Sequence, residues 1–79
     1  MARVLLFGPL RDVAGWRERQ IDSGSLAALR ALLNDEDADL GAALGGLGVQ
    51  VAVDQAIVRG DVALSAASEV AFLPPMSGG

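Results

Sequence analysis

Most of the side chains that enzymes use for chemistry are missing from this chain. Its 79 residues include no cysteine and no histidine. A thiolate nucleophile and an imidazole base are therefore both excluded, and no base stands ready to activate the serines. Every basic residue is an arginine: Arg3, Arg11, Arg17, Arg19, Arg30 and Arg59. With no lysine, there is no side-chain amine to acylate. Potential metal ligands reduce to carboxylates, which favour hard cations. Asp35, Glu36, Asp37 and Asp39 cluster but lack the D-x-D-x-D-G spacing of a calcium loop and read as a solvated acidic turn. Gly45, Gly46 and Gly48 are followed by no lysine, so they do not form a phosphate-binding P-loop. No bound metal or cofactor is expected, and the chain is not expected to be a catalyst on its own.

What remains is the end of the sequence, "VAFLPPMSGG", Val70 to Gly79. Its reactive group is a carboxylate with a pKa of about 3.3–3.7, ionised at neutral pH and a poor electrophile. To react it must be activated, most simply as an acyl adenylate. Gly78 and Gly79 add no bulk to the backbone, and Ser77 adds little. Such a tip can enter a narrow channel and place its carboxylate in a partner's active site. The alternative is a frayed glycine tail, and Gly-Gly alone does not decide between the two. Pro74 and Pro75 lack amide donors and stop strand pairing. They also push the residues before them into extended geometry. The segment from Pro74 to Gly79 could then reach about 20 Å. The division expected is a folded domain over 1–73 and an extended tail over 74–79.

The elements that must carry this tail follow from hydropathy patterning. "RVLLF" (3–7) is a short apolar run closed by Gly8-Pro9, which reads as a buried strand. "LRDVAG" is expected to be a loop or single turn. "WRERQID" alternates weakly, as an exposed edge strand would, and a hairpin with the first strand is plausible. "SLAALRALLND" is the clearest helix. Ser25 is its N-cap, and Leu26, Leu29 and Leu33 form one stripe with Leu32 alongside. "EDADLGAALGGLG" reads as a brief helical turn and then loop. "VQVAVDQAIV" is a strand pair around an Asp54-Gln55 break. Leu64 anchors the next loop inward, and "RGD" (59–61) is an incidental turn. "EVAFL" (69–73) is the last strand, with Val70 and Phe72 on one face and Ala71 and Leu73 on the other. One helix across a mixed sheet is an α+β arrangement; its last strand is central if it pairs with the first.

Net charge is −4 and the pI about 4.4, which argues against a nucleic-acid partner. Hydrophobic content is 52%, yet no run approaches the roughly 18 apolar residues of a membrane span. The N-terminal apolar stretch is too short for a secretory signal. A cytoplasmic protein without membrane partners is expected. The apolar excess points to a dense core or an exposed docking patch.

"EVAFLPPMSGG" resembles the C-terminal signature of the MoaD/ThiS family of ubiquitin-like sulfur carriers, and most of all the MoaD type, the small subunit of molybdopterin synthase. "VLLFGPLRDVAG" (4–15) resembles that subunit's opening strand and turn, "VAVDQAIV" its central hairpin, and Leu64 the leucine before its last strand. The likeness spans essentially the whole chain. It implies a ubiquitin-like β-grasp fold, with a mixed sheet of about five strands, one main helix and a short helical turn. It also implies that a MoeB-type partner, using ATP, adenylates Gly79, and that a sulfur donor protein then supplies the sulfur of a thiocarboxylate. The tail, with Ser77 and Gly78 threading, would enter a large catalytic subunit of the MoaE type, in a heterotetramer, and pass sulfur to cyclic pyranopterin monophosphate. Phe7, Arg11, Leu73, Pro75 and Met76 match positions expected to contact the partners. The chain departs from the family pattern at three places. Asp54 replaces an asparagine, Ala67-Ser68 replaces Gly-Asp, and Leu73 replaces a frequent aromatic. Alternatives are a related carrier for thiamine, tRNA thiolation or cysteine synthesis, a ubiquitin-like protein modifier, and a plain interaction domain.

Overall fold

The computed structural model describes residues 1–75. In chain order the elements are β1 (Ala2–Leu6), α1 (Pro9–Ala14), β2 (Glu18–Ile21), α2 (Leu26–Glu36), α3 (Ala38–Leu44), β3 (Gln50–Val53), β4 (Ala56–Val58) and β5 (Glu69–Leu73). The strands form one mixed sheet in the order β2-β1-β5-β3-β4. β5 is central. It runs parallel to β1, with Leu6 opposite Phe72, and antiparallel to β3, with Gln50 opposite Leu73. β2 is an edge strand, as its mixed polar pattern implied.

One face of the sheet is covered and the other is left to solvent. Val4, Leu6, Val51, Val70 and Phe72 point inward, against Leu26, Leu29 and Leu33 of α2 and Leu40 and Leu44 of α3. The alternation in β5 follows the expected pairing: Val70 and Phe72 are fully buried while Glu69, Ala71 and Leu73 are half-buried. Leu64 tucks into the same core. The Ser25 hydroxyl accepts a hydrogen bond from the Ala28 amide at 3.1 Å, the capping contact expected of it.

Three helical segments differ from expectation. "PLRDVA" is a six-residue helix, not a loop. Pro9 supplies a preset φ at the first helical position. Gly15, left-handed at φ 81, closes the helix by donating its amide to the Arg11 carbonyl. The second helix continues through Asn34 and Asp35 to Glu36, because the next residue, Asp37, both ends α2 and N-caps α3 through its side chain. That makes α3 seven residues long, more than the brief turn expected. Among the described residues no helix is long and apolar enough to cross a membrane.

The acidic cluster at 35–39 has local work. Besides the Asp37 cap, Glu36 accepts both arms of the Arg19 guanidinium, at 2.9 and 3.4 Å. Arg19 also lies over the Trp16 ring, 5.0 Å from its centroid. Edge strand β2 is thus tied to the end of α2. Hydrogen bonding and charge from Arg19 hold the Glu36 carboxyl below its ordinary value. A lowered folded-state pKa means that this pair stabilises the fold above the ordinary carboxylate pKa. The contribution is lost as pH falls through the lowered one. Thermal melts of wild type and Glu36→Gln should therefore differ at pH 7 and converge toward pH 3. An equal difference at both pH values would count against the ion pair. Because both partners are exposed, the gap will be small.

The tail exit as a candidate functional site

The parallel register of β1 and β5 fixes where the chain leaves the sheet. With Leu6 opposite Phe72, Phe7 stands at the level of Leu73, and Gly8 follows beside Pro74. On the other flank, Gln50 opposes Leu73, so Val49 and Gly48 lie alongside Pro74 and Pro75. Neither proline can donate to a ladder, and β5 stops pairing at Leu73.

This end of the sheet is apolar and open. Phe7 is 42% exposed and Leu47 is 98% exposed. Leu73 and Pro74 are half-buried and Pro75 is exposed. Of the residues expected to meet a partner, the fold brings Phe7, Leu73 and Pro75 to one place. Arg11 sits one helical turn further on, its amide bonded to the Gly8 carbonyl at 3.1 Å. It lines an open depression of about 540 Å³ with Asp12, Gly15, Trp16 and Arg17. Among the described residues, Arg3 and Arg19 form ion pairs but Arg11 and Arg17 do not. The Arg17 carbonyl accepts from Leu6 N, so this basic corner lies at the tail-exit end of the sheet. Met76, Ser77, Gly78 and Gly79 lie outside the described residues.

Leu47 was not singled out in the sequence. Its only signal there is a large apolar residue between Gly46 and Gly48, where no buried element can use it.

The departures from the family pattern keep their local hydrogen bonds. Asp54 and Gln55 both adopt positive φ, 50° and 71°, as the two central residues of a tight hairpin turn do. The Asp54 carboxylate accepts from the Glu69 amide at 2.9 Å, and its own amide donates to the Glu69 carbonyl at 2.8 Å. An asparagine oxygen could take the same amide, so the exchange leaves this clamp on the start of β5 intact. Ser68 is buried, and its hydroxyl accepts from the Ser65 amide at 2.9 Å, closing the turn before β5. These contacts keep β5 in register and so keep the tail's point of departure fixed.

Known proteins share this arrangement. The crystal structure of small archaeal modifier protein 1 (SAMP1) from Haloferax volcanii superposes with a TM-score of 0.84 at 24% identity, over 99% of this chain and 98% of that one. The solution structure of SAMP1 from Methanosarcina acetivorans gives 0.86 at 22% identity, over 99% and 95%. The protein–protein complex of subunits 1 and 2 of molybdopterin-converting factor from Helicobacter pylori 26695 contains a chain that matches at 0.76 and 25% identity, over 99% and 97%. These likenesses identify the fold as the ubiquitin-like β-grasp. A comparison with curated proteins finds no match. The sequence pattern of the ThiS family matches residues 4–79, nearly the whole chain. The chain therefore belongs to the ThiS family of ubiquitin-like sulfur carriers, which are small carrier proteins and not themselves catalysts.

Proposed function

We propose that the chain is the sulfur carrier of molybdopterin synthesis. A MoeB-type enzyme binds the tail and ATP. The Gly79 carboxylate attacks the α-phosphorus, and pyrophosphate leaves. The outer sulfur of a donor protein's persulfide then attacks the acyl carbon and expels AMP, and a thiol cleaves the S–S bond of the acyl disulfide, leaving a disulfide on the donor side and a terminal thiocarboxylate on Gly79. In a MoaE-type large subunit, that sulfur attacks a carbon of the pterin precursor and displaces its oxygen substituent; water then attacks the acyl carbon, breaks the C–S bond to the carrier and restores the carboxylate, so two loaded tails supply the two sulfurs. The carrier supplies the sulfur and the reach; the partners supply the catalytic groups that it lacks.

The observation that carries this reading is the exit of the chain from the central strand, with Pro74 beside Gly8 and Pro75 beside Gly48, at the end of the sheet where Phe7 and Leu47 are exposed. A docking surface at the base of a threading segment lets one partner grip the domain and receive the tip. The H. pylori complex of two molybdopterin-converting factor subunits supports a partner of that kind, and the "LRDVAG" segment favours the molybdenum pathway over other sulfur routes. The SAMP1 likeness favours a second reading, attachment of Gly79 to amines of target proteins.

Intact mass after incubation with ATP, the activating enzyme and a sulfur donor tests the proposal. A gain equal to the exchange of one oxygen for sulfur is expected. Adding large subunit and pterin precursor should then yield molybdopterin. An unchanged mass with a cognate activating enzyme would refute the carrier role, and isopeptide-linked targets would favour the modifier. The chain has no lysine, so even a modifier could not build side-chain-linked polymers of itself.

A further inference from the structure

We infer that Gly8 and Gly48 are positioning residues for the tail, acting through Pro74 and Pro75. This rests on the reading that the tip of the tail is the reacting group. Each of the two strands flanking β5 contributes one of them: Gly8 follows β1 and Gly48 precedes β3. Both are in the left-handed region, at φ 58 and φ 81. A Cβ on Gly8 would lie 3.0 Å from Pro74 Cγ, and one on Gly48 would lie 2.7 Å from Pro75 Cβ. The two rings thus rest on backbone that is bare of side chains, one from each side. Two other left-handed glycines, Gly15 and Gly60, have nothing within 4 Å of where a Cβ would stand. Their lack of a side chain serves the turn alone, whereas at Gly8 and Gly48 it also makes room for the tail.

Lever arithmetic gives this seat its importance. Proline fixes φ near −65°, so ψ at Leu73 and at Pro74 sets the direction of the tail. For a segment reaching about 20 Å, a turn of about 20° at its base moves the tip by roughly 7 Å. Seating each ring limits those rotations before the partner binds, so less ordering remains to be done in the complex.

The test pairs Gly48→Ala with Gly60→Ala in the full chain. Gly60 has φ 92 and open space around it, so it matches the backbone strain without touching the tail. Both variants should melt lower, by about 5–10 °C. Only Gly48→Ala should lose the nuclear Overhauser contact between residue 48 and Pro75 and shift the Pro75 carbon resonances. In ATP–pyrophosphate exchange with the activating enzyme, below both melts, it should raise KM for the carrier about tenfold, with kcat held. Gly8→Ala should act in the same direction through Pro74. Asparagine tolerates left-handed backbone while keeping a Cβ, so Gly48→Asn serves if the alanine variant does not fold. An equal KM rise in Gly60→Ala would assign the effect to strain and overturn the inference. So would a displaced Pro75 with unchanged KM. No exchange with the wild-type chain would sink the carrier reading itself, and the residue 48–Pro75 contact would still decide whether the seat exists.

Discussion

Deleting Gly79 is expected to abolish sulfur loading while leaving the melting curve unchanged. The deletion keeps a carboxylate but moves it back along the tail by one residue, about 3.5 Å. An activating site that holds the terminal carboxylate at the α-phosphorus of ATP cannot follow it that far. The loss should exceed about a hundredfold, since displacements near 1 Å already cost that much. The fold has no reason to respond. Every buried apolar residue among those described lies at or before Phe72, and the central strand ends at Leu73. The measurements are intact mass after loading and thermal melting of the same sample. A deletion variant that still acquires sulfur would place the reacting group elsewhere. One that melts lower would mean the last residue also supports the fold.

The strands and the main helix were legible in the sequence because their decisive features are local. Alternation in "EVAFL" placed Val70 and Phe72 inward, and two prolines after it had to end the strand. Ser25 before a leucine stripe marked a capped helix. The two central residues of the β3–β4 turn, Asp54 and Gln55, were legible as a break, although neither is the glycine that a double positive φ prefers. The first helix was not foreseen. At six residues it is too short for periodicity to register, and only its punctuation, Pro9 at the start and Gly15 at the end, carried the signal. Features joining distant positions were out of reach. Arg19 meets Glu36 across 17 residues, and Gly48 meets Pro75 across the β3–β5 pair. A glycine at 48 reads as loop until the sheet register places a proline against it. The apolar end of the sheet falls between these cases. Phe7 and Leu73 came from resemblance, but that Leu47 stands exposed at the same end of the sheet follows only from the topology.

The chain's two phenylalanines should give opposite results, and the contrast tests whether fold and docking are separable here. Phe72 is fully buried beneath α2, with the Arg30 guanidinium 5.7 Å from its ring centroid. Arg30 is held in turn by donating to the Leu44 carbonyl at 3.1 Å, at the end of α3. Removing the ring opens a cavity where β5 and the two helices meet, at about 3–5 kcal/mol. A domain of this length has about 4–12 kcal/mol of stability in total, so Phe72→Ala should melt lower by about 15–30 °C or fail to fold. Phe7, 42% exposed, is not a member of that core. Phe7→Ala should shift the melt by a few degrees at most, about 1 kcal/mol, yet weaken binding to the activating enzyme about tenfold or more, as loss of an aromatic anchor does. Calorimetric titration alongside the melts reads both quantities. If Phe7→Ala bound normally, the apolar tail exit would not be the docking face, and the partner would have to grip the domain elsewhere. If Phe72→Ala melted like wild type, β5 would not be the strand that holds the fold together. In this geometry one strand must do both jobs: its inward face fixes the core, and its end, one residue past the last buried ring, hands the chain to Pro74 and Pro75 at the apolar end of the sheet that carries Phe7.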